Sequence, residues 1–141
     1  MGKKVKVVFD TNVWLSIFMN KIITEEFSKN KQNLTIYVSE GILLEISKVI
    51  FYPKIAEILK KSNFTPRETI RAIKANSKKV EPNLKLYVTD RDVTDNIILE
   101  CALASGADFI VSGDRHLLEV GKFRKTRILT PREFFDYISK K

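Results

Sequence analysis

Short β-branched segments alternate with helical ones along the whole chain, and this alternation narrows the fold more than any single motif. Val5–Phe9 reads as a strand. Residues 11–30 contain no Pro or Gly, and the spacing of Val13, Ile17, Phe18, Ile22, Ile23 and Phe27 predicts one broken helix or two short ones. Leu34–Val38 is a second strand. Ser39 can cap a helix running to about residue 52, where Pro53 interrupts it, and residues 55–59 continue helically. Thr65-Pro66-Arg67-Glu68 starts the next helix: Thr caps, Pro takes the first helical position and Glu reaches back to the cap. Residues 84–88 read as a third strand, 92–104 as a helix stopped by Gly106, Phe109–Val111 as a fourth strand and 127–129 as a fifth. Thr130-Pro131-Arg132-Glu133 repeats the capping pattern at the last helix. Such a pattern predicts one α/β domain over residues 1–141, with a mostly parallel central sheet between two layers of helices, a three-layer α/β/α sandwich.

In an open parallel sheet, ligands bind beyond the carboxyl ends of the strands. Asp10 follows the first strand directly, and Asp114 follows the fourth after Ser112-Gly113. Asp90, Asp92 and Asp95 lie between the third strand and its helix. Glu40 and Glu45 lie at the end of the second strand and early in the next helix. Each acid alone has a plain reading: Asp10, Asp92 and Asp114 as helix caps, Asp95 as a favourable first-turn acid, Glu45 as a surface partner of Lys48. Their convergence on one rim does not. Carboxylates gathered together repel unless a cation lies among them, and a hard divalent ion takes oxygen ligands.

Composition then restricts the chemistry. The 141 residues include one Cys and one His, which excludes a disulfide framework and an all-protein Cys/His zinc site. The 25 basic and 17 acidic residues give a formal charge of +8, suited to a polyanionic partner such as nucleic acid. Acids that hold Mg²⁺ or Mn²⁺ on a basic protein point to a phosphodiester substrate, since such ions activate water and clamp a phosphoryl displacement. Arg115, Lys122, Arg124 and Lys125 follow Asp114 in sequence and are the candidate RNA contacts, although a basic run such as 122–127 is more often a solvated loop. His116 reads as a surface or phosphate-contacting residue, Cys101 as core, and Trp14 with Phe18 as core or a dimer seam. No apolar run approaches the ~18–20 residues of a membrane span. Nor does the start resemble a signal peptide, and Lys6 stands where a myristoylation signal wants Ser or Thr. A cytoplasmic location is expected.

At this point the residues resemble a known family. Val7-Val8-Phe9-Asp10-Thr11-Asn12, the segment from Ser39 through Glu45, Asp92-Val93-Thr94-Asp95-Asn96 leading into Leu99-Glu100-Cys101-Ala102, and the block from Gly106 through Asp114 are similar to the motifs of PIN domains. Thr130-Pro131 with Phe134 closes the chain as many such domains close. The order of blocks most resembles VapC-like toxin components of toxin–antitoxin pairs. The resemblance implies a metal-dependent endoribonuclease that uses one or two Mg²⁺ or Mn²⁺ ions. Its acidic quartet falls on Asp10, Glu45, Asp95 and Asp114, with Asp10, Asp95 and Asp114 as metal ligands. Thr11, Asn12, Asp92 and Ser112 stand as supporting residues. Glu45 is preferred to Glu40 because it lies about one and a half turns past Ser39, facing the rim. A homodimer and a small antitoxin partner that covers the site are implied as well.

Three other readings compete. A phosphoacceptor receiver domain wants an acid pair at the first strand and a Lys after the last, and this chain has neither in place. A haloacid-dehalogenase-like phosphatase wants a second Asp where Asn12 stands. A non-catalytic RNA-binding module on the same fold would have no need of four acids. The five Gly residues never approach the spacing of a dinucleotide or phosphate-binding loop.

Overall fold

The computed structural model describes residues 4–83, 85 and 93–140. Its strands are β1 (Val5–Phe9), β2 (Leu34–Val38), β3 (Lys78–Lys79), β4 (Phe109–Val111), β5 (Lys122–Phe123) and β6 (Thr126–Leu129). They form one sheet in the order β3-β2-β1-β4-β6-β5, and only β5 runs antiparallel to its neighbour. The helices are α1 (Thr11–Met19), α2 (Lys21–Asn30), α3 (Glu40–Val49), α4 (Pro53–Lys61), α5 (Pro66–Ala75), α6 (Val93–Ser105), α7 (Arg115–Val120) and α8 (Pro131–Ser139). No helix among the described residues is long and apolar enough to cross a membrane.

β1 is the axis of the molecule. Val7, Val8 and Phe9 are all fully buried. Successive side chains on a strand point to opposite faces, so both faces of the sheet are covered there. Phe9 meets Trp14 of α1, Phe27 of α2 and Phe134 of α8 edge-on at ring separations of 5.2, 6.4 and 6.1 Å, which sets those helices on one face. On the other face α6 lies against β1, β2 and β4 and carries α3 with it. Gly41 makes that approach possible, since a Cβ there would stand 2.8 Å from Ile97 Cγ2. Leu15, Ile50 and Leu59 form a second, smaller core where α1 meets α3 and α4.

Capping chemistry delimits the helices. Thr65 with Glu68 and Thr130 with Glu133 both form complete capping boxes behind an N-terminal Pro. Ser39 accepts the Ile42 N–H at 3.3 Å, and Gly106, at φ 65°, lies just past the end of α6.

Two strands lie outside the sequence expectation, and one expected strand lies outside the described residues. The segment 84–88 is that strand, of which Lys85 alone is described, and Asp90 and Asp92 also lie outside the described residues. Lys78–Lys79 instead pairs with Tyr37 and Val38 of β2 at the sheet edge. The basic run 122–127 is not a loop: Lys122 and Phe123 pair with Arg127 and Thr126, and Arg124 turns the corner at φ 55°.

Candidate active site

Parallel strands aim their carboxyl ends at one rim, and the order of this sheet selects a place on it. From β1 the chain goes outward through β2 to β3, then crosses to the other side of β1 for β4. A crevice opens where the strand order reverses. Asp10 and Asp114 stand on its two sides. Asp10 ends β1, and its N–H donates to the Val111 carbonyl at 3.1 Å, continuing the β1–β4 ladder one residue beyond the strands.

Asp10 is the N-cap of α1, and its Oδ1 accepts the Val13 N–H at 2.9 Å. Its Oδ2 accepts the hydroxyl of Ser112. Asp10 is 7% exposed. Burial pushes its carboxyl above the usual range, the nearby Asp114 carboxylate adds to this, and the bonds from Ser112 and Val13 act against it. Asp114 caps α7, with Oδ1 accepting the His116 and Leu117 N–H groups at 2.8 and 3.2 Å. The Asp114 N–H in turn donates to Ser112 Oγ at 2.9 Å. Asp95 lies in the first turn of α6 and is buried. Glu45 lies midway along α3, half-buried.

Asp10, Glu45, Asp95 and Asp114 line one cleft of about 320 Å³, together with Thr11, Asn12, Val49, Tyr52 and Ile98. Glu40 lies elsewhere. It is exposed and paired with Lys79 at 2.5 Å, and that hydrogen bond holds its carboxyl below the usual range. Among the described residues no ion pair joins Glu45 to Lys48. Ser112 is fully buried behind the cleft and joins Asp10 to the Asp114 backbone. Asp92 lies outside the described residues.

The basic candidates fall differently. Arg115 opens α7 beside Asp114, exposed, with Glu119 at 3.8 Å. Lys122, Arg124 and Lys125 belong to the β5–β6 hairpin. Arg127 of that hairpin pairs with Phe109, the first residue of β4, whereas Asp114 follows the last. The Arg124–Lys125 turn therefore sits at the opposite end of the sheet from the acids, and its nearness to Asp114 is one of sequence alone. Cys101 and Trp14 are core, as read. Burial pushes the Cys101 thiol up to about 12, which removes it from nucleophilic chemistry.

The cleft suits a cation. Its acids supply oxygen donors, and among the described residues the buried Thr11 Oγ1 on its wall has no hydrogen-bond partner. One ligand atom each from Asp95, Asp114 and His116 lie within 4.8 Å of one another. Sequence reasoning took His116 for a surface or phosphate-contacting residue and passed over it as a neighbour of two acids. Tyr52 was passed over too; it is half exposed on the wall of the cleft.

The fold and the site thus define an α/β protein with an acid-lined cleft at the switch point of its parallel sheet. The chain belongs to the PIN domain family, whose model matches residues 6–116. PIN domains are generally nucleases. The chain is 31% identical to the uncharacterized protein MJ1680 of Methanocaldococcus jannaschii, over 97% of this chain and 94% of that protein. Its fold is also that of a chain in the crystal structure of VapBC2 from Rickettsia felis bound to a DNA fragment from their promoter. That match has a TM-score of 0.59 and 13% identity, and covers 88% of this chain and 97% of the other.

Proposed function

We propose that this protein is a divalent-metal-dependent endoribonuclease, the toxin of a toxin–antitoxin pair. The observation that carries the reading is the meeting of four carboxylates, from β1, α3, α6 and the end of β4, in one cleft of a protein with charge +8. Asp10, Asp95 and Asp114 are the metal ligands in this reading, and Glu45 completes the shell, directly or through water. When bound, Mg²⁺ or Mn²⁺ assists attack of water on phosphorus as a Lewis acid and offsets charge growing on the phosphate oxygens.

The protein's own part is to hold these groups ready. Ser112 and the Val13 N–H fix both oxygens of Asp10, so the carboxylate presents one orientation to the cleft. Cap bonds from α7 hold one oxygen of Asp114, Oδ1. A buried carboxyl whose ionisation is opposed by desolvation and by a neighbouring acid gains most from a cation, so the pair Asp10 and Asp114 favours ion capture. Thr11 and Asn12 line the wall where a phosphate would enter. Hydrolysis adds hydroxyl to phosphorus and a proton to the departing ribose oxygen.

The proposal extends to partners: a small antitoxin that covers the cleft, in keeping with the VapBC2 complex in which the R. felis chain was solved, and, as part of the same reading, a homodimer of this chain in the cytoplasm. The test is incubation of purified protein with a mixed RNA pool under Mg²⁺, Mn²⁺ or EDTA, beside the Asp10→Asn variant. Metal-dependent cutting that the variant lacks supports the reading. A fully active Asp10→Asn protein refutes the site, and RNA binding without cutting at any metal concentration would leave a binding module.

A further inference from the structure

We infer that His116 is a nitrogen ligand of the ion held in this cleft, and that it biases the site toward Mn²⁺ over Mg²⁺. The inference rests on the proposed metal site and deepens it.

Three observations meet here. The first is position: a ring nitrogen of His116 and carboxylate oxygens of Asp95 and Asp114 lie within 4.8 Å of one another. An octahedral ion with bonds near 2.1 Å spaces its ligands about 3 Å apart when adjacent and about 4.2 Å when opposite. The second is the contact that the ring does not make. His116 Nδ1 stands 3.8 Å from Asp114 Oδ1, too far for a hydrogen bond and near enough for both to share a cation. The same Asp114 oxygen accepts the His116 backbone N–H at 2.8 Å, which sets the residue beside its acid whatever the ring does. The third is the wall: Thr11 lines the same cleft, and its buried Oγ1 has no hydrogen-bond partner among the described residues.

The donor set then chooses among ions. Mg²⁺ prefers oxygen throughout, whereas transition ions accept imidazole readily. The carboxylates of Asp10, Asp95 and Asp114 with one imidazole are a mixed set. A surface histidine waiting on phosphate would not need its ring within reach of two carboxylates.

The experiment uses the full-length, untagged protein loaded with Mn²⁺, read by pulsed electron paramagnetic resonance. The expected result is a nitrogen coupling from a directly bound imidazole. The chain has one His, so growth on ring-¹⁵N-histidine should convert the ¹⁴N signature to that of ¹⁵N without altering any side chain. In His116→Gln the coupling should vanish, and the ratio of Mn²⁺ to Mg²⁺ affinity should fall roughly tenfold, the scale of a lost ligand interaction. Bound Mn²⁺ with no nitrogen coupling, or a coupling indifferent to the isotope, overturns the inference and leaves the acidic site standing. Failure of the wild-type protein to bind Mn²⁺ at all overturns the inference together with the metal site.

Discussion

The Ser112 hydroxyl donates to the carboxylate of Asp10, a residue 102 positions earlier in the chain, and so ties the end of β4 to the end of β1. Ser112 also accepts the Asp114 N–H, which makes one buried side chain the bracket between two proposed ligands. Replacing Ser112 by Ala removes a bond to a buried charged group and leaves the Asp114 N–H without its acceptor. The expected loss is about 1–3 kcal/mol of stability, with weaker metal binding. Urea unfolding and metal titration of Ser112→Ala would show both. An unchanged protein would mean that the bracket carries no weight.

Asp10 gives a prediction about pH. Its pKa is raised in the folded protein, chiefly by burial, so the folded state holds this proton more tightly than the unfolded chain does. The Asp10 contribution to stability is therefore full below the ordinary Asp range. It is lost as pH rises through the raised value. Metal-free Asp10→Asn should lack this component and be at least as stable as wild type at neutral pH. Divalent ion should raise the wild-type melting point, by about 2.7 kcal/mol of stabilisation at a hundredfold excess over Kd, and leave the variant where it was. Thermal melts across pH, with and without Mn²⁺, decide the matter.

Glu45 and Glu40 differ by place, and substitution should separate them. Glu45→Gln is expected to weaken metal binding and RNA cleavage by tenfold or more, about the scale of a perturbed metal site. Glu40→Gln only breaks an exposed pair with Lys79 and should leave both unchanged. Parallel cleavage assays of the two variants give the comparison, and equal losses would dissolve the distinction.

Gly41 lets α3 approach α6, and with it Glu45 approach Asp95. Gly to Ala inside a helix ordinarily gains about 0.5–1 kcal/mol. Here the new methyl meets Ile97 Cγ2 at 2.8 Å, on a stiff β-branched side chain, and overpacking costs about 1–3 kcal/mol. The cost exceeds the gain, so Gly41→Ala should lower the melting point and weaken metal affinity. A rise in melting point would show that α3 moves aside freely.

The capping signals around Thr65, Thr130 and Ser39 were legible because they are local, and each appears in the structure as its residues require. β1 was legible because it is buried on both faces and apolar at Val7, Val8 and Phe9. β3 and β5 were not. Each is two residues long, three of those four residues are Lys, and partner strands rather than intrinsic preference hold them in place. In the site, acids at strand ends could be read from position. His116 could not, because a single histidine carries no spacing of its own, and only the turn after β4 brings it to Asp95.

The four acids come from segments that span residues 10–114, and the reversal of strand order sets β4, a late strand, beside β1, the first. During synthesis the site therefore does not grow by degrees. A nascent chain that ends before α6 carries Asp10 and Glu45 on one flank of an unfinished sheet, with no opposite wall to the cleft. Whatever chemistry the cleft performs begins only after β4 has left the ribosome and closed on β1. A product that stops before Asp114 lacks one wall of the cleft and cannot share that chemistry.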